Sequence, residues 1–165
     1  MGSEMCIRDR TNGAALTLDL LDQALDAVAG SNDRKFIVCN KVVRRKVTAL
    51  LRAAAGGSAI SEIGPQAREY DGATIEVLDE DGDESPILSF DETQGSSNVT
   101  TSLYVIRPGG DVDGEHVQGL IGADLIEHVA VGLQGTYFTD IVEANMGLGM
   151  FHPRSAARVK GITNT

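Results

Sequence analysis

Two helical patterns separated by a short apolar run constrain this chain more than any other feature. In LTLDLLDQALDAVAG (16–30), Leu18, Leu21, Leu25 and Val28 recur at helical spacing, while Asp19, Asp22 and Asp26 fall on another face. Thr17 suits the N-cap, Asp19 suits the positive end of the helix dipole, and Gly30 offers a C-terminal exit. KFIVCN (35–40) is short and apolar, the pattern of a buried strand. Asn40 then caps a second helix, KVVRRKVTALLRAAAGG (41–57), whose apolar face is Val43, Val47, Leu50, Leu51 and Ala54 and whose stop is Gly56 and Gly57. Helix, strand and helix in this order predict helices packed on a sheet, a mixed α/β (α+β) fold.

From Ser58 onward the pattern turns to strands. ATIEV alternates Ile75 and Val77 against Thr74 and Glu76, turns at an acidic cluster and resumes at Ile87, Leu88 and Phe90, which predicts a hairpin. TSLYVIRPGG is a strand followed by a turn signal, and LIEHVAVGL and TYFTDIVEANMGLGMF supply two more strands. HPRSAARVKGI closes the chain, with Pro153 placed to start a short helical turn through Ala156, Ala157 and Val159.

The 42% hydrophobic content is enough for a core, and 19 glycines agree with a turn-rich fold. A formal net charge of −10 opposes general affinity for nucleic acid or anionic membrane, because phosphate binding needs clustered Lys and Arg. Against that trend, Lys41, Arg44, Arg45, Lys46 and Arg52 place five of the fourteen basic residues on the second helix. This face reads as a solvated or subunit-facing surface that answers acidic patches elsewhere. Cys39 sits alone in its apolar run, as a small buried hydrophobe would. No apolar run reaches the roughly 18 residues of a membrane-spanning helix.

Motifs with chemistry in them are incomplete. Asp79, Asp81 and Asp83 in DEDGDE begin like a calcium loop, but the sixth position is Glu84 instead of Gly and the twelfth is Phe90 instead of Glu, which leaves a solvated turn. DVDGEH gathers Asp111, Asp113, Glu115 and His116 without a second cluster of ligand spacing, so it reads as a polar loop. Gly147 and Gly149 give half of a dinucleotide fingerprint, and no Walker loop or nucleophile elbow is present. His128 reads as a structural strand residue, and His152 as a hydrogen-bonding group at the last turn. No catalytic, cofactor-binding or metal-ligating residue is expected.

The opening MGSEMCIRDR has neither helical nor strand periodicity and resembles the translation of a transposon adapter used in sequencing libraries. Residues 1–10 are therefore expected to add nothing to the fold, with the natural reading frame running upstream.

Several stretches together resemble the major capsid (coat) proteins of tailed bacteriophages, with the Hong Kong 97-like fold. They are the helix–strand–helix segment 16–53, REYDGATIEVLDEDGD (68–83), SLYVIRPG (102–109) and GLQGTYFTDIVEANMGLGMFHPRSAARVKGI (132–162). The resemblance implies an axial-type α/β domain over 11–135. Residues 136–165 would be a return strand and C-terminal segment of the peripheral domain, with the N-terminal half of the fold lying upstream. It further implies a non-enzymatic subunit that assembles with itself, as hexamers and pentamers, into an icosahedral shell around a viral genome. Such a subunit belongs to the virion, is assembled in the host bacterial cytoplasm, and has scaffolding or decoration proteins as further partners, with no membrane and no specific nucleic acid. Candidate subunit-contact residues are Lys41, Arg44, Arg45 and Arg52 on the basic helix and Ile141, Val142, Met146 and Phe151 near the C-terminus. Two other readings stand beside it: an encapsulin-like nanocompartment subunit, which shares the fold, and a small-ligand or metal-binding enzyme domain built on DVDGEH.

Overall fold

The computed structural model describes residues 5–7, 13–54, 67–80, 82–110, 115–122, 127–134, 137–143 and 145–164. In chain order the elements are β1 (Met5–Ile7), α1 (Leu18–Ala27), a 3-10 turn (Asn32–Arg34), β2 (Phe36–Cys39), α2 (Lys41–Ala54), β3 (Glu69–Tyr70), β4 (Ala73–Val77) and β5 (Glu92–Gln94). There follow β6 (Ser97–Ile106), β7 (Val117–Ile121), β8 (Glu127–Gln134), β9 (Tyr137–Glu143), β10 (Met146–Met150) and β11 (Ala156–Thr163).

Both helices begin where their caps predict. The Thr17 side chain accepts from the Leu20 amide at 3.3 Å, and Asn40 Oδ1 accepts from the Val43 amide at 2.8 Å. Asn40 is buried, and its amide nitrogen also donates to the Leu88 carbonyl at 2.9 Å and to Thr101 Oγ1 at 3.3 Å. One side chain thus starts α2 and ties it to two distant segments.

The main sheet runs β1-β11-β6-β2-β4-β3, with β5 added beside β6. β1 is parallel to β11 and β2 to β4, whereas β6 runs antiparallel to both β11 and β2. The β1–α1–β2 and β2–α2–β4 crossovers step in the same direction along this order. A single handedness of connection therefore puts both helices on one face. The core matches: Leu21, Ala24, Leu25 and Val28 following α1, and Val43 and Val47 of α2, join Ile37, Cys39, Ala73, Ile75, Leu103, Val105, Ala157 and Val159 of the sheet in one buried cluster. Burial pushes the Cys39 thiol up to about 12, so it is an inert packing group.

The opposite sheet face carries Phe36, Val38, Tyr104, Ile106, Arg158 and Lys160, all half-buried. Arg158 organises it, lying over the Tyr104 ring at 5.5 Å, pairing with Glu92 at 3.1 Å and donating to Ser102 Oγ at 3.0 Å. A single guanidinium thus links β11, β6 and β5.

Several expectations are corrected. Residues 156–163 form a strand and not a helical turn, because Ala157, Val159 and Ile162 fill the core side of an antiparallel partner for β6. The hairpin expected to resume at Ile87 is reduced to a turn closed by one isolated antiparallel bridge, Glu80 to Pro86, with the Ile87 amide donating to the Asp79 carbonyl at 3.0 Å. No strand continues from it among the described residues, and Ile87 is 50% exposed. The tight hairpin is β3–β4, where Asp71 (φ 47) and Gly72 (φ 82) are the two loop residues of an Asp-Gly turn. Within 1–10, expected to add nothing, Met5–Ile7 pair with Ala157–Val159. Backbone pairing requires only an extended segment, and β11 offers an open edge. The stop expected at Gly56 and Gly57 lies outside the described residues.

Candidate subunit-contact surface

Between β6 and β11 the chain leaves the sheet and returns as two ladders, β7 with β10 and β8 with β9. In the first, Met146 faces Ile121, Leu148 faces Gly119 and Met150 faces Val117. Directly opposed residues share a face, so Val117, Ile121, Met146, Leu148 and Met150 make one apolar strip. It is open to solvent: Ile121 is 61% exposed, Met146 70%, Leu148 82% and Met150 57%. On the other face Leu120 and Phe151 close over Gly149, where an added Cβ would lie 3.1 Å from Leu120 and 3.0 Å from the Phe151 ring. Gly149 is therefore a packing glycine, not part of a nucleotide loop.

The strip was legible in part. Met146-Gly-Leu148-Gly-Met150 alternates with the period of a strand, which signals Leu148 as a face-mate of the expected Met146. Ile121 and Leu120 enter only through pairing. Ile141 and Val142 lie on β9 opposite Val129 and His128, and their side chains, like that of His128, fall outside the described ones. Phe151 is 49% exposed but belongs with Leu120, away from Met146.

The basic helix is less uniform than its sequence. At 3.6 residues per turn, Lys41, Arg45 and Arg52 project from the side of α2 opposite Val43, Val47 and Leu50. Lys41 is paired with Asp79 at 2.5 Å, each about half exposed, and Arg45 is exposed. Arg44 and Arg52 are half-buried. Lys46 turns away and donates to the Thr163 carbonyl at 2.5 Å. Thr48 is covered by the returning chain, its hydroxyl donating to the Arg44 carbonyl and accepting from the Ala67 amide, each at 3.0 Å.

Three cations missed in the sequence bind the C-terminal end of α1, Lys35 from the start of β2 and Arg107 and Arg154 from the base of the ribbon. That helix has no basic residue in its own last turn. Lys35 Nζ donates to the Leu25 carbonyl at 2.7 Å, Arg154 donates to the Asp26 carbonyl at 3.0 Å and the Ala27 carbonyl at 3.1 Å, and Arg107 Nη1 donates to the Ala29 carbonyl at 2.8 Å. Helix ends leave carbonyls without partners and carry partial negative charge, so cations are favoured there. Burial holds the Lys35 ammonium below its usual range. Arg107 and Arg154 flank the ribbon's departure and return. No local spacing marks them, because their partners lie 78 and about 127 positions away.

Of the DVDGEH residues, Asp111 and Asp113 lie outside the described residues, and Glu115 is exposed. His116 and His152 bring their rings within 5.3 Å of each other, and His152 Nδ1 accepts from the Arg154 amide at 3.1 Å. The acidic turn contributes Asp79 to the Lys41 pair.

No protein-family model matches the sequence, and no curated protein matches it. A solved structure does: the holo-SrpI encapsulin complex from Synechococcus elongatus PCC 7942, with a TM-score of 0.63 at 16% sequence identity. The chain has the Hong Kong 97-like capsid fold. The similarity covers 99% of this chain and 54% of the encapsulin chain, so this chain spans about half of that protein's length.

Proposed function

We propose that this chain is a subunit of a self-assembling protein shell, and within that class the major capsid protein of a tailed bacteriophage. The observation that carries the shell reading is the encapsulin-like fold along 99% of the chain. An exposed apolar strip on a two-stranded ribbon supports it, since such strips mark association surfaces. The phage reading rests on the terminal run GLGMFHPRSAARVKGI and its resemblance to phage coat subunits. On this reading the subunit works through contacts and not through turnover. Its partners are further copies of itself, with scaffolding or decoration proteins beside them, and it resides in the virion. An encapsulin-like compartment is the second reading, favoured by the structural similarity itself.

Electron microscopy of the protein expressed from its genomic reading frame tests the shell reading. Closed shells are expected, and a persistent monomer with catalytic turnover would overturn it. The neighbouring genes separate the two shells: terminase and portal genes belong with a phage, a cargo enzyme with a compartment.

A further inference from the structure

The two runs of chain that join the ribbon to the sheet meet at a pair of histidines. His116 immediately precedes β7, and His152 lies between β10 and β11. Their ring centroids are 5.3 Å apart. Backbone bonds zip the same spot: the Phe151 amide donates to the His116 carbonyl at 2.8 Å, the Val117 amide to the Arg107 carbonyl at 3.3 Å, and the Arg107 amide to the Ser155 carbonyl at 2.9 Å. Buried Ser155 contacts both residues, the His116 ring and the His152 backbone. Its hydroxyl donates to the His152 carbonyl at 2.7 Å, which commits its only proton. The 3.3 Å contact between Ser155 Oγ and His116 Nδ1 must then have the imidazole as donor, so neutral His116 carries its proton on Nδ1. A second proton can enter only at Nε2.

We propose that His116, its ring beside that of His152, is a proton-sensitive hinge at the root of the ribbon, closed when its imidazole is neutral and loosened when it is charged. The charged groups around His116 favour the neutral form. Arg107 at the end of β6 and His152 on the returning run both repel a cation there, and among the described residues Glu115 on its own loop is the opposing charge. Arg154, next to His152, adds another guanidinium at the root and is held to α1. Arg107 cannot withdraw without releasing the Ala29 carbonyl. Burial, then Arg107 and His152, lower the His116 pKa from 6.5.

The sign follows from linkage. A histidine whose folded pKa is depressed binds fewer protons in the closed state than in the open one. The closed root therefore keeps its full stability above the open-state value near 6.5 and loses it as pH falls from there toward the folded value. His116 also has a positive φ of 52, a conformation that Asn tolerates better than most residues.

Hydrogen exchange on the intact chain, corrected for intrinsic chemistry, tests the hinge whether or not the shell reading holds. Between about pH 7.5 and about pH 5, the Phe151 and Val117 amides should lose protection several-fold, while the Ile75 amide, bonded to the Arg68 carbonyl, keeps its own. His116→Asn accepts the positive φ and should make the root insensitive to pH. His152→Asn keeps an acceptor for the Arg154 amide. It should raise the His116 titration midpoint seen by NMR and shrink the loss of protection. Unchanged protection across this range, the same loss in His116→Asn, or a His116 midpoint unmoved by His152→Asn would overturn the proposal.

Discussion

Lys35 is 3% exposed, yet its ammonium is satisfied by the Leu25 carbonyl and by Asn32 Oδ1, both at 2.7 Å. Lys35→Met keeps the apolar stem and leaves a helix-end carbonyl without its donor. A loss of about 1–3 kcal/mol in urea unfolding is expected, the size of one unsatisfied buried group. Asn40 separates two roles within one side chain. Asn40→Ala removes the α2 cap and both long-range donations, and should lower stability by about 2–3 kcal/mol. Asn40→Asp is as good a cap but has no hydrogen to give the Leu88 carbonyl, so the unfolding midpoint should not recover. Recovery would mean that the cap alone matters.

Among the elements, the β7–β10 ladder and β1 are exposed to opposite tests. Leu148 is 82% exposed, so Leu148→Glu should change the unfolding free energy by less than about 0.5 kcal/mol. If the apolar strip is an association surface, the same substitution should abolish higher-order species in sedimentation velocity; an unchanged profile would remove the strip from the interface. β1 contributes three residues of parallel pairing to β11. Deleting residues 1–10 takes away those backbone bonds and should lower stability by about 1–2 kcal/mol in denaturant titration, even if the segment has no biological origin. It also bares the β11 edge, which invites strand pairing between copies.

For the whole molecule, charge sets the terms of association. At a net charge of −10, copies repel one another at neutral pH unless opposite patches meet. Raising salt from about 0.05 M to about 0.5 M shortens the screening length well below the size of the protein. If apolar strips drive contact, light scattering should show association strengthening over that range. Weakening would point instead to the exposed Arg45 side of α2 meeting acidic surface on a neighbour.

The two helices, their caps, β2, β4 and the strand through Leu103 and Val105 were determined by the sequence alone. Each depends on a short-range period or a residue whose partner lies three positions away, as with Asn40 and Val43. The Asp-Gly turn was equally local, though its signal was lost between two short strands. Tertiary structure alone decided that Ala156–Thr163 extends instead of coiling: alanines and valine permit either state, and a partner strand with a core side to fill settles it. It alone decided which residues bind the end of α1. Arg107 and Arg154 reach carbonyl partners 78 and 128 positions away, and a guanidinium carries no local mark of the carbonyl it will meet. The same holds for the histidine pair, whose rings meet because the ribbon leaves and returns at one place on the sheet.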